Sequence, residues 1–496
     1  MTGVTRKPMR PAAAGAFLAT VIFAAAALLA PVGASASTSG AGLYITGAGF
    51  GHGVGMSQYG AAGYALHGAT YEQILRNYYS QTTLGYVNPN RTVTVLLKPQ
   101  GAAAFSGATR INGVATKQLN PNANYSVLVA GAKLRIVSGG RTFGTFTAPL
   151  QVSGPGPLKL LGTGTYLGAL VFRPSAAGSG VMTVNALGLD DYVRGVVGAE
   201  MPTSWPQQAL DAQAVAARSY AVASGASGAD FDVYDNTRSQ MYEGIADETP
   251  ATNAAVDATA GKVVEYDDRP AVTYFFASSG GQTESIQNVW AGVAPEAWLV
   301  GRSDPYDDSY NNPYYRWKLN LKLGSADAKL RKLIRGSLKG IKIVRRGVSP
   351  RIVQAKILGT KGATTATGAQ LQADLGTPST WMSFTTVTAK GVQTSGSPPS
   401  GPTPTTTITT PVDGGGGLGP SVRGHSARAL RYAVSGTVYP VVARAKVTVQ
   451  QGTGGDWMLA ASGTASATGR YSIPVTGPGV YRVIYRGTVG PKIAVG

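Results

Sequence analysis

Residues 188–224 read GLDDYVRGVVGAEMPTSWPQQALDAQAVAARSYAVAS and decide how the centre of the chain folds. Three valines recur at helical spacing after a pair of aspartates, which predicts an amphipathic helix with one buried stripe. Pro202 ends this helix near the preceding residue. A second, alanine-rich helix follows, with Ser204 as its predicted N-cap and Pro206 near its first turn.

Glu200 falls on the apolar stripe of the first helix, at its C-terminal end. Burial and the negative end of the helix dipole both raise the pKa of a carboxyl group in that position. A raised pKa suits a general acid working near neutral pH. We expect Arg218, on the second helix, to present a cation toward the Glu200 cleft. The periodicity alone also allows a surface carboxylate at a frayed helix end.

The rest of the chain predicts an α+β body and a C-terminal β unit. Residues 92–188 alternate apolar and polar side chains between glycines, which predicts a β-rich region inserted before the central helices. The predicted body spans residues 40–393, with helices and C-terminal strands in 189–390. Residues 394–424 form a Pro/Thr/Gly linker, and residues 427–496 predict a separate small β-sandwich with an adhesion or spacer role.

Residues 1–36 have the pattern of a secretory signal peptide. Three cations in the first ten residues precede an apolar run over 12–30 and an Ala34-Ser35-Ala36 site. An uncleaved membrane anchor is the alternative, because the apolar run is nearly long enough to span a bilayer. Either interpretation predicts an extracellular, cell-wall-associated protein.

Composition excludes several kinds of chemistry. The 496 residues include no cysteine and three histidines, which excludes disulfides, thiol catalysis and cysteine zinc sites. The net charge is +19, and fourteen lysines and arginines lie between Arg316 and Lys361 against one aspartate. Such a basic stretch attracts polyanions, here anionic wall polymers, or simply keeps the protein soluble. No nucleic-acid-binding motif is present, so we expect no nucleic-acid partner.

The central stretch closely resembles the signature of the stage II sporulation protein D family, which includes peptidoglycan lytic transglycosylases and amidase enhancers. The matching blocks cover most of residues 40–390 and are Tyr192–Val197, Glu200–Pro202, Trp205-Pro206, Ala209-Leu210, Ala212–Tyr220, Gln240–Gly244, Ser278–Glu284 with Val289-Trp290, Ser349–Val353 and the segment from Gln370.

A further block, GFGHGVGMSQYGA at residues 49–61, resembles the segment that commonly closes the family domain, but here it lies before the other blocks. A circularly permuted arrangement accounts for this if the segment packs in the same place. Glycine at every second position from 49 to 55 implies close backbone approach or positive φ. His52 and Gln58 either face a ligand or belong to a tight structural loop. Ser57 lacks the nucleophile-elbow pattern of serine hydrolases.

The resemblance implies a role for each matching position. Glu200 would protonate the oxygen between N-acetylmuramic acid and N-acetylglucosamine, and the muramic C6 hydroxyl would then close a 1,6-anhydro ring. Arg218, Gln240, Tyr242 and the loop Ser279-Gly280-Gly281 would bind the glycan. Some family members hold zinc near this cleft. Arg238, Ser239 and Phe276 occupy the corresponding positions here, so we predict no metal and no other cofactor.

Two other functions fit the same residues. A non-catalytic wall module that binds glycan and stimulates an N-acetylmuramoyl-L-alanine amidase would use the basic stretch and the C-terminal unit. Hydrolysis by Glu200 with water as acceptor would use the same cleft. A buried-face carboxylate at the end of an apolar stripe favours the enzyme.

Overall fold

The computed structural model describes residues 37–395, 430–442, 444–453 and 455–496. The predicted signal peptide and all but the first two residues of the predicted linker lie outside these ranges. Within them the fold is mixed α and β, as predicted, and strands predominate. No helix in the described ranges is long and apolar enough to cross a membrane.

The helices in the described ranges are α1 (Gln58–Leu66), α2 (Tyr71–Tyr78), α3 (Leu189–Glu200), α4 (Gln207–Ala223), α5 (Pro250–Ala258), α6 (Leu323–Lys329) and α7 (Gly368–Leu375). The first five pack together with α4 at their centre, whereas α6 and α7 pack in a second hydrophobic cluster. Helix α4 contacts α1, α2, α3 and α5, and its alanines are buried on nearly every face. Small side chains allow this close packing on all sides.

The two central helices test the sequence directly. Helix α3 ends at Glu200 with Met201 as its C-cap, which confirms the stop predicted from Pro202. The N-cap of α4 is Pro206, so the prediction of Ser204 is wrong. Proline has no side-chain acceptor, and the helix instead begins with the Pro206 carbonyl accepting from Ala209 and Leu210.

The strands before and between the helices are short. They are β1 (Ser39–Gly47), β2 (Met56–Ser57), β3 (Thr83–Tyr86), β4 (Thr92–Lys98), β5 (Ala103–Ser106), β6 (Arg110–Ile111), β7 (Tyr125–Ala130), β8 (Lys133–Ser138), β9 (Arg141–Thr147), β10 (Leu150–Ser153), β11 (Leu158–Leu160), β12 (Gly164–Tyr166), β13 (Ala169–Pro174), β14 (Val181–Gly188) and β15 (Val233–Tyr234). Residues 92–188 supply all the strands but β15 of two six-stranded sheets, ordered β15-β4-β14-β13-β10-β6 and β12-β11-β5-β7-β8-β9. This region holds strands and no helix, as its alternation predicts.

The later strands complete the body and the C-terminal unit. They are β16 (Lys262–Tyr266), β17 (Arg269–Pro270), β18 (Phe275–Phe276), β19 (Trp317–Lys322), β20 (Leu338–Arg346), β21 (Ile352–Gly359), β22 (Gly362–Thr367), β23 (Met382–Ser395), β24 (Leu430–Tyr439), β25 (Lys446–Thr453), β26 (Asp456–Thr464), β27 (Arg470–Val475), β28 (Gly479–Tyr485) and β29 (Thr488–Val495). The basic stretch from Arg316 to Lys361 forms β19, α6, β20 and β21.

The C-terminal unit is all β, as predicted, but it is not separate from the body. One sheet runs β19-β1-β23-β24-β27, and β24 pairs with β23 from Thr386↔Tyr439 to Ser395↔Leu430. The long strand β23 therefore belongs to both parts, and the predicted separation is wrong. Alternation within a strand shows that it has a buried face but not which strand lies beside it.

Candidate active site

A cavity of about 670 Å³ opens at the C-terminal end of α3. Its walls are formed by four segments, namely the glycine-rich loop after β1, the start of α1, residues 237–239 and the segment around β18. Glu200 is the single carboxylate among the described residues that line it, and Arg238 is the single arginine or lysine among them. The wall also carries aromatic side chains, namely Phe50, Tyr220, Tyr274, Phe275, Phe276 and Trp290.

Two hydrogen-bond donors hold the Glu200 carboxyl group. The backbone N–H of Met241 donates to Oε1 at 2.7 Å, and Gln58 Nε2 donates to Oε2 at 3.3 Å. Burial raises the pKa of Glu200, and these two hydrogen bonds oppose the rise without cancelling it. The group is therefore a weaker acid than an ordinary glutamate, and the two hydrogen bonds stabilise the carboxylate once it has lost its proton.

The loop of residues 240–244 supplies the Met241 donor and is anchored from beneath. Gln240 Nε2 donates to Tyr192 Oη at 3.0 Å, and Tyr242 Oη donates to Asn185 Oδ1 at 2.6 Å. The Tyr242 ring lies where a side chain at Gly195 would collide, because a Cβ there would meet it at 2.6 Å. Both predicted glycan-binding residues are buried away from the cavity. Their side chains position the loop whose Met241 N–H donates to Glu200.

Arg218 does not face the cavity, so that prediction is wrong. Its guanidinium is fully buried, with Nε 2.6 Å from Asp190 Oδ1 and Nη1 donating to the Lys262 carbonyl at 3.0 Å. Asp190 and Glu200 lie at opposite ends of α3, about 15 Å apart along the axis. The ion pair therefore ties α4 to the end of α3 remote from the cavity.

The loop Ser279-Gly280-Gly281 also lies outside the cavity lining. The backbone N–H groups of Ser279 and Gly280 donate to the Asp307 carboxylate at 3.0 and 2.9 Å. Asp307 also accepts from Ser57 Oγ at 2.6 Å, and Ser57 is the N-cap of α1. The buried carboxylate thus links this loop to the helix that begins with Gln58. Asp307 positions Gln58, and its sequence surroundings, DPYDDSYNN, gave no periodic signal for this.

The glycine-rich loop wraps around a buried arginine. The Arg351 guanidinium donates to the carbonyls of Gly51 and Ser279 at 3.0 and 3.2 Å. A Cβ at Gly53, where φ is +92°, would meet Arg351 Nε at 2.3 Å. The glycines therefore serve close backbone approach, and the loop still delivers His52 and Gln58 to the cavity. The loop is therefore tightly packed, as one interpretation of the sequence expects, and ligand binding by His52 and Gln58 stays a prediction.

His52 is held as a neutral imidazole. Its Nδ1 accepts from the Val54 N–H at 3.1 Å, which leaves the proton on Nε2. Burial and the Arg351 charge lower the pKa of His52 to about 4, against a hydrogen bond with the Phe275 backbone. The ring packs against Trp290, with centroids 5.2 Å apart, so His52 extends the aromatic wall.

The described residues that line the cavity offer no set of zinc ligands. Arg238, Ser239 and Phe276, the three positions that the sequence resemblance singled out, are among them. An arginine and a phenylalanine are unsuitable ligands for zinc, which takes thiolate, imidazole or carboxylate groups. Within the described ranges, no three histidine, cysteine, aspartate or glutamate residues come together as a metal site would require.

Residues 177–266 match the family model described as stage II sporulation protein. The segment that contains Glu200 is therefore similar to this family. The matched segment includes Glu200 and Met241, whereas Gln58 comes from outside it.

Similar curated proteins come from several bacteria. An uncharacterised protein of Brachyspira hyodysenteriae is 39% identical over 26% of this chain and 36% of its own length. The amidase enhancer of Bacillus subtilis is 35% identical over 28% of this chain and 18% of its own length. The stage II sporulation protein D of Bacillus amyloliquefaciens is 30% identical over 29% of this chain and 49% of its own length. The chain thus matches half or less of each of these relatives.

Proposed function

We propose that the protein is a secreted peptidoglycan lytic transglycosylase with Glu200 as general acid and base. The observation that carries this is the environment of Glu200. Among the described residues it is the single carboxylate of an aromatic cavity, its pKa is raised by burial, and two hydrogen-bond donors contact its oxygens. Relatives named for sporulation and amidase enhancement support a cell-wall role, and the pattern of residues 1–36 supports secretion.

The chemistry requires one carboxyl group to act twice. Protonated Glu200 donates to the glycosidic oxygen, the bond from C1 to that oxygen breaks, and positive charge develops on the muramic ring. The Met241 N–H and Gln58 then stabilise the new carboxylate. That carboxylate removes the proton of the muramic C6 hydroxyl as its oxygen attacks C1, which closes the 1,6-anhydro ring. No second carboxylate is needed, in contrast to the usual glycosidase pair.

The rest of the cavity suits an anionic amino sugar. Tyr274 and Trp290 lie with ring centroids 4.7 Å apart and offer apolar faces to sugar rings. The Arg238 guanidinium lies 3.7 Å above the Tyr234 ring, and none of the ion pairs among the described residues includes it. It is available for the lactyl or stem-peptide carboxylate of a muramic residue.

The test is digestion of purified peptidoglycan, intact and stripped of stem peptides, with products identified by mass spectrometry. We expect 1,6-anhydro-muramic ends from the wild type and from Glu243→Gln, which changes an exposed carboxylate on the same loop as Met241. We expect none from Glu200→Gln. Free reducing ends would instead indicate hydrolysis by the same site. Cleavage by Glu200→Gln at the wild-type rate would refute the assignment.

The alternative is a wall-binding protein that stimulates an N-acetylmuramoyl-L-alanine amidase. The amidase enhancer among the similar proteins favours it. In that case neither the wild type nor Glu200→Gln would cleave glycan, and both would bind the wall and accelerate a purified amidase equally. The same pair of proteins therefore separates the two functions.

A further inference from the structure

A second cavity, of about 1050 Å³, lies where the C-terminal unit meets the body. Its lining comes from β1 and β23, from the sheet of β20, β21 and β22, and from the end of β24 with the β28–β29 turn. We call it the β-groove. It shares no lining residue with the Glu200 cavity.

The β-groove carries positive charge that nothing in the described chain neutralises. Lys342, Lys356 and Arg486 line it, and its described lining includes no aspartate or glutamate. The ion pairs among the described residues include none of these three. Lys342 and Lys356 also stand directly opposite each other on β20 and β21, an arrangement that is unfavourable between like charges. An anion between them would relieve that repulsion.

Aromatic and hydroxyl groups accompany these cations. Tyr44 and Tyr439 line the β-groove, together with hydroxyl side chains at residues 46, 383, 385 and 488. The Tyr439 ring packs directly against Gly340, where any side chain would collide with it, because a Cβ there would lie 2.3 Å from the ring. Ring faces with hydroxyls around them suit sugars, and the lysines and arginine suit the charge that those sugars carry.

Arg486 reaches the β-groove from an unusual backbone position. It occupies the two-residue turn between β28 and β29 with φ of +50°, followed by Gly487 at +75°. Asparagine or glycine adopts this conformation with less strain than arginine. The turn therefore places a guanidinium where turn chemistry alone favours another residue.

We propose that the β-groove binds an anionic polysaccharide, independently of the Glu200 cavity. Charge complementarity carries the choice of an anion. The aromatic rings and hydroxyl groups of the lining favour a sugar polymer over a sugar-free phosphate chain, which would use the cations alone. The site requires both the basic stretch and the C-terminal unit, because Arg486 and Tyr439 belong to the latter.

The test measures binding of a fluorescent oligogalacturonate, which lacks muramic acid, to the full protein. The variant Lys342→Gln/Lys356→Gln/Arg486→Asn should bind at least about tenfold more weakly. The matched control, Lys329→Gln/Arg331→Gln/Lys332→Gln, removes the same charge from exposed positions outside the β-groove and should bind as the wild type does. Thermal unfolding checks that both variants fold.

Competition with unlabelled ligands identifies the chemistry. We expect a neutral chito-oligosaccharide and poly(glycerol phosphate) each to compete poorly, and Glu200→Gln to bind like the wild type. The proposal is overturned if the control variant loses as much affinity as the β-groove variant, if the β-groove variant keeps wild-type affinity, or if either competitor displaces the probe as well as oligogalacturonate does. None of these results depends on glycan cleavage, so a failure of the β-groove proposal does not refute the proposed transglycosylase activity, and the reverse also holds.

Discussion

Replacing Gln58 by methionine tests the proposed acid through its pKa. Methionine keeps the length of the side chain and removes the Nε2 donor, which lies 3.3 Å from Glu200 Oε2. That hydrogen bond stabilises the charged carboxylate and so lowers its pKa; removing it raises the pKa. A long hydrogen bond to a charged group contributes about 1 kcal/mol, which corresponds to roughly 0.7 pKa unit.

The measurement is the pH dependence of kcat/KM for glycan cleavage. Because Glu200 must be protonated in the free enzyme, activity falls as the pH rises through its pKa. We expect the alkaline limb of the Gln58→Met profile to lie roughly 0.5–1 unit higher than that of the wild type. Gln100→Met, at an exposed position in the β-rich region, should leave the limb in place.

The position of the limb, rather than the height of the profile, decides the outcome. Gln58 also lines the cavity, so its loss can weaken substrate binding without moving the limb. An unmoved limb would show that Gln58 does not stabilise the charged form of the catalytic acid. A limb at lower pH would contradict the sign of the electrostatic argument.

Three further predictions concern stability. Burial raises the pKa of Glu200 in the folded protein, so ionisation of this group destabilises the fold as the pH rises. By calorimetry, Glu200→Gln should therefore raise the Tm by about 1–2 °C at neutral pH and by less at pH 4. A lower Tm at neutral pH would contradict this. Arg218→Met leaves its aspartate partner unpaired and should cost about 3–5 kcal/mol in chemical denaturation, against at most about 1 kcal/mol for Arg194→Met; equal costs would refute the buried pair. Gly53→Ala should lower the free energy of unfolding by at least about 3 kcal/mol, and Gly68→Ala by about 1 kcal/mol. Both glycines have positive φ, but of the two only Gly53 has a neighbour, Arg351, that an added Cβ would touch. Similar losses of stability in the two variants would mean that the Arg351 contact is unimportant.

Local patterns in the sequence predicted the local parts of the site. The valine stripe and Pro202 fixed where α3 ends, and therefore placed Glu200 at a partly buried helix terminus. The direction of Arg218 could not be obtained in the same way. Helix α4 is buried on nearly all faces, so periodicity does not distinguish a face toward the cavity from one toward Asp190.

The distant contacts had no local signal at all. Gln58 and Glu200 are 142 residues apart, and Ser57 and Asp307 are 250 apart, yet together they hold the acid and its donor. Family resemblance suggested that Gln240 and Tyr242 bind glycan, whereas their side chains anchor the loop that carries the Met241 N–H. The motif thus identified the loop correctly. The structure was needed to show that the Met241 backbone contacts Glu200 while the Gln240 and Tyr242 side chains anchor the loop.

The pairing of β1 with β23 gives a physical reason why the glycine-rich block can precede the rest of the domain. Gly47 lies opposite Met382 and Ser39 opposite Lys390, so the segment leading into residues 49–61 runs beside the strand that closes the body. Because the two strands are antiparallel, the start of β1 lies beside the C-terminal part of β23, so a strand in the place of β1, with the glycine-rich segment after it, can follow β23 with little change in path. The Arg351 guanidinium fixes the loop in either order, because its contacts are to the carbonyls of Gly51 and Ser279 and not to a chain end. The position of Gln58 beside Glu200 thus depends on packing in space and not on the order of the blocks along the chain.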